Sequence, residues 1–144
     1  MTWLNVLLAL HLLGAVLWVG GMGFALIVLR PSLGALEPSQ RMALHMQVFR
    51  RFFRLVWHTM PLMLVTGYAM VFGIFGGFGG VNWAVHVMHL TGLIMTALFL
   101  VVVFGPWRTL RAGGGQAEVD RIRRLVTVNL LIGLLTVIVA AFAV

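Results

Sequence analysis

An all-α, four-helix transmembrane bundle, N-out and C-out, follows from three features of this chain. Its 144 residues are 62% hydrophobic and only 9% charged, whereas soluble domains carry roughly 25% charged residues. The apolar residues gather into four stretches, from about Trp3 to Leu29, Phe52 to Phe75, Trp83 to Gly105 and Leu125 to Val144. Each is about 20 residues or longer, enough to cross a hydrocarbon core of roughly 30 Å as a helix. All ten basic side chains, every one an arginine, fall in two of the three connections between these stretches.

The length suits one integral membrane domain over residues 1–144. Backbone groups in lipid must be satisfied internally, so each span is a helix. The first stretch reads as a span and not as a cleaved signal, since it lacks a basic leading region and an A-x-A site and is too long. The first connection, Arg30 to Arg51, holds five arginines with Arg54 counted at its edge. Within it Ser39 follows Pro38 as a candidate N-cap, and Met42, Met46, Phe49 and Phe53 recur at helical spacing. That pattern predicts an amphipathic cytoplasmic lead-in to the second span. The second connection, Gly76 to Asn82, is glycine-rich and uncharged. The third, Pro106 to Arg124, holds the other five arginines and a Gly113-Gly114-Gly115 tip, which is a flexible turn and not a phosphate loop.

The positive-inside rule places both arginine connections in the cytoplasm, and both termini and the glycine loop outside. Trp3 and Trp83 mark the outer edge and Trp57 and Trp107 the inner one, with Trp18 alone in mid-span. The net charge of +7 lies between apolar spans. An anionic lipid surface is therefore its expected partner, and nucleic acid is not. The absence of cysteine excludes disulfides, thiolate zinc sites and iron–sulfur clusters.

The two halves carry a weak internal repeat. His11-Leu12-Leu13-Gly14 in the first span matches His89-Leu90-Thr91-Gly92 in the third, and 19 residues separate each histidine from an arginine, Arg30 or Arg108. A parallel repeat about the membrane normal would set His11 and His89 facing each other.

Chemistry is restricted by what the spans lack. Glu37, Glu118 and Asp120 are the only carboxylates and all lie in connections, and no serine lies in a span. Paired-carboxylate catalysis and an intramembrane serine hydrolase are thereby excluded. Histidine remains, and an ionisable side chain in a membrane is costly enough to suggest a function. His11 and His89 each lie about 28 Å from their arginine at about 1.5 Å per residue, in the outer half of the bilayer. Two such imidazoles suit a bis-histidine haem iron, and they also suit copper, with methionine as a further soft ligand. Gly14 and Gly92 lie on the histidine faces and leave room for a flat macrocycle, or for ordinary close helix packing.

His86 lies one turn beyond His89 and either joins the site or reaches water. His58 stands nearer the inner edge, beside Met60 and Met63, a weaker metal set whose plainer reading is interfacial packing. His45 is expected to face headgroups. One feature counts against an outer haem: its propionates would find no cation there, only Asn82, loop amides or water.

The run His11-Leu12-Leu13-Gly14-Ala15-Val16-Leu17-Trp18-Val19-Gly20-Gly21-Met22 with Leu29-Arg30-Pro31 resembles the first helix of the CopD-like integral membrane family. So do Arg50-Arg51-Phe52-Phe53, the glycine loop, Val85-His86-Val87-Met88 and Gly105-Pro106-Trp107-Arg108. The resemblance extends over nearly the whole chain. It implies a multi-pass bundle of the bacterial inner membrane, both termini periplasmic. Larger members of the family, named for copper resistance, move copper, and related bundles, HemJ-type and b-type cytochromes, hold haem on membrane histidines. The HemJ type expects a lysine in the third helix, and this chain has no lysine. The resemblance carries the ligand histidines to His11 and His86, whereas the repeat selects His11 and His89.

The expectation is a haem b electron carrier or membrane oxidoreductase ligated between the first and third spans. It would exchange electrons with quinone or a periplasmic redox partner, and could assemble as a homodimer. A copper-binding or copper-transport protein on His11, His86, His89 and the methionines is the alternative, and an accessory subunit without a cofactor is a third reading.

Overall fold

The computed structural model describes residues 2–143. Val144, the last residue of the expected fourth span, lies outside them. Four long helical stretches, Trp3–Ala35, Pro38–Gly73, Trp83–Arg111 and Gln116–Ala140, are long and apolar enough to cross a membrane. Four such helices are therefore present as expected; at the arginine end helix extends well past the expected bounds, and at the other end the second and fourth helices stop short of them, at Gly73 and Ala140.

Helix α1 (Trp3–Gly23) begins at Thr2, whose hydroxyl accepts the Asn5 amide proton at 3.3 Å. A π-helical segment, Phe24–Leu29, then widens the helix before α2 (Arg30–Ser32) and a 3₁₀ turn at Leu33–Ala35. No sequence signal marks such a π segment.

The predicted lead-in and the second span form one unbroken helix, α3 (Pro38–Gly73), 36 residues long. Its N-cap is Glu37 and not Ser39: the Gln40 side chain accepts the Glu37 amide proton at 3.1 Å, completing a capping box. Pro38 takes the first helical position, where its missing N–H is harmless, so Ser39 falls inside the first turn. At the far end Gly77 turns the chain with φ +109, a backbone angle that glycine adopts without strain.

Asn82 caps α4 (Trp83–Phe104) by accepting the Ala84 and Val85 amide protons, and its side-chain amide donates to the Phe142 carbonyl at 3.0 Å. The propionate-binding role considered for it is thus taken by structural bonds. Helix α4 breaks at Gly105, where a Cβ would stand 2.6 Å from the Val101 carbonyl oxygen. Pro106 restarts the chain as α5 (Pro106–Arg111). Helix α6 (Gln116–Ala140) starts two turns ahead of the predicted fourth span, because its polar first turns are helical too.

The bundle is two helix pairs: α1 packs chiefly on α3, and α4 chiefly on α6. Side-chain hydrogen bonds cross both pairs, His11 to Thr66 at 2.9 Å in the first and Thr136 to Thr91 at 2.8 Å in the second. A further bond runs from the Asn129 amide on α6 to the Met95 carbonyl on α4 at 3.2 Å.

Packing is uneven along the bundle. Phe53, Val56, Phe99, Val102, Trp107, Leu110, Val119 and Ile122 make a dense aromatic and aliphatic core toward the arginine end. Trp107, expected at the interface, is buried there, with Arg111 lying over its ring at 5.4 Å. Trp18 is buried edge-on to Phe99. Toward the glycine loop few side chains are buried. Leu12, Val16, Ile27, Val65, Leu90, Leu131 and Ile138 are exposed on the outside. They face lipid, which is the medium these spans require.

Candidate functional site

At the loop end, α3, the glycine loop and α4 bring five rings together. His86 and His89 stand one turn apart on α4, a spacing that puts both on one helix face. Phe78 of the glycine loop lies against both, its ring centroid 5.8 Å from that of His86 and 4.8 Å from that of His89. Phe78 meets Phe72 edge-on, and Phe72 stacks on Tyr68 one turn along α3. The Tyr68 hydroxyl closes the cluster at 2.8 Å from His89 Nε2.

The two histidines are held differently. His89 has one nitrogen fixed by Tyr68. His86 is exposed, and neither of its nitrogens has a hydrogen-bond partner among the described residues. One oriented and one free imidazole on a single face, beside a thinly packed part of the bundle, are suited to receive a soft or borderline cation. Among the described residues, no three His, Cys, Asp or Glu side chains converge on one point. Additional ligands would have to be thioether, phenol or exogenous.

His11 is elsewhere. Its Nδ1 meets the Thr66 hydroxyl at 2.9 Å, and its ring borders Gly67. The Thr66 hydroxyl donates to the Leu62 carbonyl at 2.7 Å. The Nδ1 of His11 therefore carries the proton and donates to Thr66, which leaves Nε2 with its lone pair. Thr66 and Tyr68 are two residues apart on α3, about 200° around its axis. His11 and His89 thus contact different faces of the same helix, and neither has the other as a hydrogen-bond or ring partner among the described residues.

The glycines read as macrocycle room take different parts. A Cβ on Gly14 would meet Met63 Cγ at 2.6 Å, so Met63 already fills the hollow that Gly14 leaves. Gly92 has nothing within 4 Å of its Cβ position and faces open space. Met60 is buried in the core. His58, exposed on α3, donates from Nδ1 to the Arg54 carbonyl at 2.7 Å, which leaves its Nε2 free.

Sequence reading missed Thr66, Tyr68, Phe78 and Asn129. Tyr68 is the sole tyrosine of the chain, the one available signal. Thr66 and Phe78 look like any span threonine or loop aromatic until the helix rotations are known. Asn129 is 4% exposed, and its side-chain oxygen lacks a partner among the described residues.

A family model described as copper resistance protein D matches residues 46–143. The matched segment holds most of α3 and all of α4, α5 and α6, with His58, His86 and His89. No curated protein and no solved structure matches the chain.

Proposed function

This chain belongs to the copper resistance protein D family, and from that membership we propose that it handles copper within a membrane, taking the ion first on His86 and His89. The observation that carries this reading is the pair of imidazoles on one face of α4, inside the segment matched to the family, with Tyr68 holding one of them. Tyr68 is the group that fixes the His89 ring, as hydrogen-bonded partners do for metal-binding imidazoles.

The rest of the donor set is soft. The spans contain no carboxylate and the chain has no cysteine, but it has nine methionines. Thioether and imidazole favour Cu(I), whereas hard ions such as Mg²⁺ and Ca²⁺ require oxygen ligands. Met63 and Met60 on α3 lie between the loop end and His58, and these residues are the proposed onward ligands. Copper here is cargo. The orientation belongs to the same proposal: a bacterial inner membrane, arginine end in the cytoplasm and loop end outside, on the strength of the arginine distribution.

The haem b reading has less support. The His11 and His89 rings bond to different faces of α3, and Met63 occupies the room beside Gly14. Metal analysis and a visible spectrum of the detergent-purified protein separate the two. Copper retained without a porphyrin band is the expected result. A Soret band with stoichiometric iron would overturn it in favour of haem.

A further inference from the structure

At the opposite end of the bundle lies a cavity of about 330 Å³ that the copper reading does not use. Its wall is cationic: Arg30 from α2, Arg41 and His45 from α3, and Arg123 from α6 all line it, with Gln116. Arg41 is tied to the 3₁₀ turn ahead of α3, since its Nε donates to the Leu33 and Leu36 carbonyls at 3.1 and 2.8 Å. Burial first, and then the Arg123 and Arg30 charges, hold the His45 imidazole below its ordinary pKa, with Asp120 acting in the opposite sense. Among the described residues Asp120 is the acidic partner there; its Oδ1 lies 3.5 Å from Arg123 and accepts from the Gln116 amide at 3.0 Å. Three arginines thus line one hollow with one carboxylate beside them, which leaves it a net positive charge.

The same hollow has an apolar continuation. Arg30, Leu33, His45, Gln116 and Arg123 also line a second pocket of about 60 Å³. Leu26, Leu29, Phe49, Phe52 and Val126 make its inner wall. Leu26 and Leu29 come from the π-helical segment.

Charge at the mouth and hydrocarbon behind it match a ligand of the same polarity. We infer that this cavity seats the phosphate headgroup of an anionic membrane lipid, with the first part of an acyl chain against Leu26, Leu29 and Phe52. Guanidinium forks suit phosphate oxygens geometrically, and a polar mouth at the border of an apolar span lies at headgroup depth. A free phosphate would use the arginines but would leave the apolar wall unoccupied.

Native mass spectrometry of the full chain, with phosphatidylglycerol, phosphatidylcholine or inorganic phosphate added, tests this. The expected result is retention of phosphatidylglycerol over phosphatidylcholine by at least about fivefold, unchanged by millimolar inorganic phosphate. The preference should vanish in Arg30→Gln/Arg123→Gln and persist in Arg108→Gln, which lies outside the cavity. Should the double variant not fold, Leu26→Trp fills the apolar wall and leaves every charge; it too should lose the lipid. Equal retention of both lipids would overturn the inference, as would loss in Arg108→Gln or displacement by inorganic phosphate. The last outcome would identify a free-anion site. None of these outcomes depends on copper.

Discussion

Replacing His86 and His89 together by alanine should reduce copper affinity by at least about a hundredfold. That figure is scaled from the 10–100-fold that loss of a supporting hydrogen bond alone typically costs a metal site. The physical reason is the absence of any substitute. Among the described residues no third histidine or carboxylate joins this pair, so the double variant leaves no imidazole in the cluster, only Phe72, Phe78 and the Tyr68 phenol. Each single variant should fall between wild type and the double. Tyr68→Phe should lose about tenfold, because it removes the hydroxyl at 2.8 Å from His89 Nε2 while keeping the ring that packs on Phe72. His58→Ala, at the other end of α3, should leave this first binding step unchanged. Competition against a Cu(I) chelator, in detergent and under reducing conditions, measures wild type and the five variants. A double variant that binds like wild type would remove α4 from the copper site.

Asn129→Asp should destabilise the bundle by about 2.5–3.5 kcal/mol, the cost of a charged side chain at the centre of a membrane helix. Asn129 is 4% exposed and donates its amide to the Met95 carbonyl at 3.2 Å. A carboxylate in its place has no proton to donate and sets two acceptors against each other, and no cation among the described residues pairs with it. Asn129→Leu should instead stay within about 1 kcal/mol of wild type. It loses one interhelical bond worth about 1 kcal/mol, but it also removes a buried oxygen that has no partner. Thermal melting of the purified proteins in one detergent gives both values. If both variants melt like wild type, Asn129 does not tie α4 to α6.

The four spans were readable because lipid imposes a length and a polarity that hydropathy alone reports. Helix ends were less readable. The polar first turns of α3 and α6 carry no lipid signal, so the chain looked like connection where it is helix. The cap at Glu37 was hidden behind the more familiar Pro38-Ser39 pattern. The candidate site was readable in its residues and not in its partnerships. His86 and His89 could be singled out as imidazoles near a membrane surface. The sequence paired His11 with either His89 or His86, and which imidazoles actually share a face turns on how far each helix is rotated. Helices that are apolar all round give no amphipathic face from which to read that rotation. His11 and His89 looked like symmetry mates on spacing alone, whereas their hydrogen bonds go to Thr66 and Tyr68 on different sides of α3. The room beside Gly14 was foreseen, but its occupant, Met63, sits on a helix whose register against α1 no periodicity reveals. Both hollows at the arginine end form where α2, α3 and α6 come together, and the apolar one also uses residues of the π segment, so the sequence offered only their arginines.

X-ray absorption at the copper edge of the Cu(I)-loaded wild-type protein probes the metal's own surroundings. The expected signal is outer-shell scattering from two imidazole rings, falling to none in the His86→Ala/His89→Ala protein. A copper environment without imidazole scattering in wild type would contradict the assignment of His86 and His89 as the first ligands.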